Sequence, residues 1–175
     1  MLRHILIALV LLTSFAAFAQ PPVKLLVATG LEIQTEALSP GTWSCDGGVF
    51  TGTMPPCSPG TTRIRVRDIS NRHVYQEVTG TAAAYMGGSN VTYVHGDFDA
   101  NFYGHMWGEF DWYIPEMGGG WEGTFTAMAD QARGIVVLKG VGYGRGGKLE
   151  GLKIEILDLV LNGKATVTVT VTPKG

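Results

Sequence analysis

The chain has 175 residues, with 13 Lys and Arg against 15 Asp and Glu and a formal net charge of −2 at pH 7. A nearly neutral chain without basic runs lacks the electrostatic footprint of a nucleic-acid binder or of a protein held on an anionic membrane. With 45% hydrophobic residues it can bury the full core of a single domain.

Residues 1–19 read as a secretory signal. Arg3 and His4 give a basic start, Ile5 to Ala19 an apolar core, and Ala17-Phe18-Ala19 a small-x-small cleavage site before Gln20. Pro21 and Pro22 follow at once, and no other run approaches the ~18 apolar residues of a spanning helix. The expected product is residues 20–175, a single domain without a membrane span, secreted to the periplasm or the cell exterior. Export places Cys45 and Cys57 in an oxidising compartment, where a disulfide closing a short Gly/Pro-rich loop is expected. Two thiols without further regularly spaced ligands predict no metal.

Val23 to Glu36 alternates around Leu25, Val27, Leu31 and Ile33 and predicts one or two strands broken at Gly30. Ser39-Pro40-Gly41 is a turn signal, and Trp43 begins a short strand entering the cysteine loop. Thr61 to Asp68 alternates Ile64 and Val66 with Arg63, Arg65 and Arg67, the pattern of a half-exposed strand with a solvated basic stripe. Arg72 to Thr79, Thr81 to Met86 and Asn90 to His95 read as further strands. Asp97, Asp99 and Asn101 open like a calcium loop. Phe102 stands where the turn glycine belongs and Gly108 where a bidentate Glu belongs, so the cluster reads as a strand end capped by its own carboxylates.

From Asn101 to Tyr113 the even positions carry Phe102, Met106, Phe110 and Trp112. The odd positions carry His105, Glu109 and Asp111 beside Tyr103 and Trp107. The apolar face is expected inside, because Phe102, Met106 and Phe110 need burial. Were the polar face inside instead, His105, Glu109 and Asp111 would be placed for acid–base work. Trp121 to Met128, Gly134 to Tyr143 and Lys148 to Ile156 form three consecutive predicted strands, and Lys164 to Thr172 closes the chain with valines facing one way and threonines the other.

No ten-residue window carries a helical period with a cap and a stop. The chain is therefore all-β, and strands joined by short turns indicate an antiparallel sandwich or barrel. Glycines inside strands, Gly140, Gly142 and Gly144 among them, favour a closed barrel of about eight strands. An outer-membrane barrel would need a lipid-facing band on every strand, and Thr166 to Thr172 offers valine on one side only. No nucleophile elbow, phosphate loop or H-E-x-x-H occurs. GVGYGRGG opens a strand, with no helix N-terminus to hold a phosphate, so no cofactor is expected.

MWGEFDWYIPEMGGGWEGTFTA and LKGVGYGRGGKLEGLKIEI resemble the closing half of allene oxide cyclase-like and dirigent-like barrels. The shared pattern is a G-x-W-x-G-T strand at Gly119 to Thr124, a glycine-spaced turn at Gly140 to Gly147, and a strand starting at Leu149 to Gly151. The resemblance implies an eight-stranded antiparallel barrel with a central apolar cavity, often in homo-oligomers. No position here matches a catalytic residue of those families, so it implies no particular activity. Gly41-Thr42-Trp43 and Gly96-Asp97-Phe98-Asp99 resemble lipocalin motifs, although the interval between them is shorter and the C-terminal helix is missing. Together these point to a barrel holding a small hydrophobic molecule, with Phe102, Met106, Phe110, Trp121 and Phe125 as the inward apolar face. Two other classes stand beside it. One is a cofactor-independent cyclase or isomerase that holds a reactive substrate in a dry cavity. The other is a structural barrel packed with its own side chains.

Overall fold

The computed structural model describes residues 25–46, 48–51 and 61–175, with the backbone alone for 48–51. The predicted signal at 1–19 and Cys57, and with it the Cys45–Cys57 pairing, lie outside the described residues. Nine strands occur in chain order: β1 (Leu26–Cys45), β2 (Gly48–Thr51), β3 (Arg63–Gly80), β4 (Ser89–Asp99), β5 (Tyr103–Ile114), β6 (Gly119–Asp130), β7 (Ile135–Arg145), β8 (Leu152–Leu161) and β9 (Lys164–Pro173). Every pairing is antiparallel, and after the β1–β3 pair each strand pairs with its successor. β1 then pairs with β9, from Leu26↔Val171 to Glu32↔Ala165, which closes an eight-stranded barrel. β2 adds a short ribbon on the far half of β1. The all-β closed barrel expected from the sequence is thus the fold.

Strand boundaries differ from expectation where glycine, proline and aspartate were read as breaks. The segments on either side of Ser39-Pro40-Gly41 are one strand, because β1 absorbs the irregularity as register shifts against β3, and the Ser39 hydroxyl accepts the Gly41 N–H at 3.1 Å. Thr61–Asp68 and Arg72–Thr79 likewise merge into β3, with Asp68 at φ 60 marking the shift between Val66 and Ile69. Thr81–Met86 is no strand. It forms a one-turn 3-10 helix, Ala83–Met86, that closes one end of the barrel. There the indole N–H of Trp112 donates to the Gly87 carbonyl at 2.7 Å and that of Trp121 to the Tyr85 carbonyl at 3.2 Å. Both rings are fully buried among Met86, Ile114, Leu149, Ile154 and Val171, and the two bonds satisfy their polar edges. A second apolar cluster, of Cys45, Ile64, Val66, Phe98 and Ala129, fills the extension built from the far halves of β1 and β3.

The inner wall of β4 to β7 is built from phenyl rings set opposite glycines. Phe98 pairs with Gly104, Phe110 with Gly123, and Phe125 with both Gly108 and Gly140. The Phe125 ring lies over Gly108, the Phe110 ring over Gly123 and Gly142, and the Phe98 ring over Gly96 of its own strand, space that a Cβ would fill. This gives strand-interior glycine a packing role at sites where it would otherwise only cost conformational entropy.

Candidate functional site

Against the main apolar cluster lies a cavity of about 30 Å³, enough for one water-sized group. Its apolar wall comes from Phe110, Phe125, Leu138 and Ile156, and its polar wall from Glu32, Tyr75, Asn90 and Asp158. The closure register explains the polar wall. On β1, Ala28, Gly30 and Glu32 stand opposite Val169, Val167 and Ala165 of β9, so Glu32 points inward with them. On β8, Asp158 stands opposite Val167, in phase with the buried Ile154 and Ile156. The two carboxyls therefore reach the same interior from opposite sides of β9, which presents only alanine and valine between them. Tyr75 pairs directly with Glu32, and His73 with Asn90.

The hydrogen bonds run in one direction. Asn90 Nδ2 donates to the Tyr75 hydroxyl at 2.9 Å, and that hydroxyl donates to Glu32 Oε1 at 3.4 Å. Because the Tyr75 proton is committed to Glu32, its oxygen accepts, which fixes the Asn90 amide with its nitrogen toward Tyr75. The Tyr75 ring lies against Trp112, with centroids 4.3 Å apart. His73 Nε2 lies 3.1 Å from the Thr92 hydroxyl, while its Nδ1 is 3.2 Å from Glu32 Oε1 but out of line for a hydrogen bond. Asn90 Oδ1 and Asp158 Oδ1 have no partner, although their residues are only 4% and 6% exposed. Buried polar atoms are rarely left so.

Burial dominates the electrostatics. It pushes the Glu32 carboxyl up to about 8, reinforced by the Asp158 charge and by a hydrogen bond between the two carboxyls. Burial also raises Asp158 and holds the His73 imidazole down at about 4, while the Tyr75 phenol is raised well above its ordinary value, by burial first and then by Glu32. At neutral pH the Glu32 carboxyl thus keeps its proton, and His73 beside it is neutral. Such a pair can hand its proton to a bound molecule, or release it when a cation arrives.

The residues singled out from the sequence distribute as follows. Phe110 and Phe125 line the cavity. Trp121 is buried at the closed end, away from it. Met106 packs on the second apolar cluster, as does Phe102, which precedes β5 at φ 58 in the turn and contacts Phe98 with ring centroids 6.2 Å apart. Among the odd positions of β5, His105, Glu109 and Asp111 are exposed, Glu109 and Asp111 beside an outer groove shared with Glu122 and Arg145. Asp99 caps the β4–β5 turn, its Oδ1 accepting the N–H groups of Asn101 at 2.8 Å and Tyr103 at 3.0 Å. Asp97 binds Arg67 at 2.7 Å, and Arg67 in turn lies 4.9 Å over the Trp107 ring. Among the described residues no group of three or more His, Cys, Asp or Glu could hold a metal ion. Glu32, Tyr75, Asn90 and Asp158 were missed by the sequence reading. The available signal was Asp158, an acid on the inward phase of an apolar strand.

Comparison of the chain with known protein families, with characterised proteins and with solved structures returns no match.

Proposed function

We propose that this chain is an exported small-molecule-binding barrel, whose ligand is mainly apolar and is fixed at one end by the polar wall of the interior. The observation that supports it is the pair of unpartnered oxygens, Asn90 Oδ1 and Asp158 Oδ1, facing a cavity whose other wall is phenyl and aliphatic. Binding sites of this kind combine an apolar lining with a few convergent polar groups. The ligand's polar end takes the cavity, and its apolar body displaces the aliphatic side chains at the rim. Glu32 and His73 keep 13% and 14% of their side-chain surface, so the polar wall is the side from which a ligand can be reached.

Native mass spectrometry of the protein purified from its own host tests this reading. A stoichiometric small molecule is the expected result, and the same spectrum gives the mass of any homo-oligomer. The same sample should begin at Gln20 and lack two hydrogens for a Cys45–Cys57 disulfide. Phe110→Ala should weaken binding of that molecule at least tenfold among folded molecules, while the outward His105→Ala leaves it unchanged. Equal losses in the two variants would remove the interior from the binding site.

A further inference from the structure

Resting on the interior-binding reading, we propose that the group bound in the cavity is a primary ammonium. It lies against Glu32 and Asp158 and donates to Asp158 Oδ1 and Asn90 Oδ1, with Phe110, Phe125 and Ile156 around its first methylene and the rest of the apolar body passing out at the rim.

The first argument is hydrogen-bond polarity. The Asn90 amide donates to Tyr75 and the Tyr75 hydroxyl donates to Glu32, so neither points its hydrogen-bonded proton into the cavity. Of the three buried atoms without a partner, His73 Nδ1 lies 3.2 Å from Glu32 Oε1, and the two on residues that line the cavity, Asn90 Oδ1 and Asp158 Oδ1, are acceptors, on residues more than nine-tenths buried. A group that completes the site must therefore bring donors, and an ammonium brings three. A carboxylate or ketone head brings none.

Charge gives the same answer. Two carboxyls, Glu32 and Asp158, line the cavity, and no lysine or arginine does. The groups that face the pair are His73 and Tyr75 from β3, Asn90 and Thr92 from β4, Val167 from β9, Phe110 from β5, Phe125 from β6 and Leu138 from β7. Of these only His73 could be a cation, and burial keeps it neutral at pH 7. A buried charge without a partner is costly, and a cationic ligand removes that cost. Size narrows the class, because about 30 Å³ admits one ammonium centre but neither a planar guanidinium nor a trimethylammonium.

The test titrates the full chain, processed by its host, with hexylamine, hexanol and hexanoate at pH 7. Calorimetry gives the affinity, and the Asn90 side-chain amide resonance reports where each compound binds. Hexylamine should bind at least tenfold more tightly than hexanol and shift the Asn90 signal, and hexanoate should not bind. Asp158→Asn should abolish the preference for the amine over hexanol. The ranking on the unaltered protein stands without that variant if the variant fails to fold. Hexanol or hexanoate binding as tightly as hexylamine, with the Asn90 shift, would overturn the ammonium assignment and leave interior binding intact. No Asn90 shift with any of the three would overturn both.

Discussion

Glu32→Gln should yield a protein whose stability no longer falls between pH 6.5 and pH 8. In the folded chain the Glu32 carboxyl is pushed from 4.5 up to about 8, so the native state holds a proton that the unfolded chain releases above pH 4.5. The unfolded state then binds fewer protons, and stability falls as pH rises until the native group also ionises near pH 8. His73 acts in the opposite sense. It is lowered from 6.5 to about 4, so its contribution to stability grows as pH rises from 4 to 6.5 and is complete above that. The two slopes oppose each other below pH 6.5, and above it His73 no longer offsets Glu32. Over those 1.5 pH units the loss is about 2 kcal/mol, at 1.36 kcal/mol per unit. For a domain of this size that lowers Tm by about 4–8 °C.

Thermal unfolding followed by circular dichroism at pH 6.5, 7.25 and 8 measures the slope directly. The natural chain should lose stability steadily, and Glu32→Gln, isosteric and without a titrating group, should be level and the more stable of the two at pH 8. A level profile for the natural chain, or a retained slope in the variant, would show that Glu32 does not hold its proton inside the barrel. The dependence matters for binding as well. The charge raised by deprotonating the pair is what a cationic ligand meets, so pH and ligand act on the same proton.

The second half of the barrel was legible because its strands keep period two and its turns are short. β6, β7 and β9 lie within a few residues of where alternation places them. From the sequence β3 reads as two strands and β1 as two or three, since Gly30, Ser39-Pro40-Gly41 and the residues around Asp68 look like stops. The pairing of β1 with β3 and of β3 with β4 overrides them and leaves bulges instead. The phase of β1 also misleads. Its larger apolar residues, Val27 and Ile33, are 37% and 39% exposed, whereas the inward phase runs through Ala28 and Gly30 to Glu32. Small inward residues carry no hydrophobic signal, so nothing local marks Glu32 as interior. Its meeting with Asp158 depends on the β1–β9 closure, a register between the two ends of the chain that alternation within one strand does not encode.

The same interior yields a result in which two backbone effects compete. Gly123→Ala should destabilise the protein by about 3 kcal/mol, the upper part of the range for overfilling a packed site. Local preference argues for the reverse sign, because alanine in a strand has less backbone entropy to lose than glycine, a gain of roughly 0.5–1 kcal/mol. Space decides otherwise. A methyl group at Gly123 would collide with the Val141 carbonyl oxygen, come within 2.6 Å of Gly142 Cα, and meet the Phe110 ring at 2.5 Å. Two of those neighbours are backbone of β7 and cannot swing aside. The third is the ring that lines the cavity, so the barrel would have to open its β6–β7 seam or expel Phe110. Tm should fall by about 6–12 °C, and a ligand held against Phe110 should bind more weakly in the variant. Thr124→Ala, the next residue with its side chain in solvent, should stay within about 0.5 kcal/mol of the natural chain. If Gly123→Ala were as benign as Thr124→Ala, the rings would not rest on glycine backbone, and the cavity wall would have to be built differently.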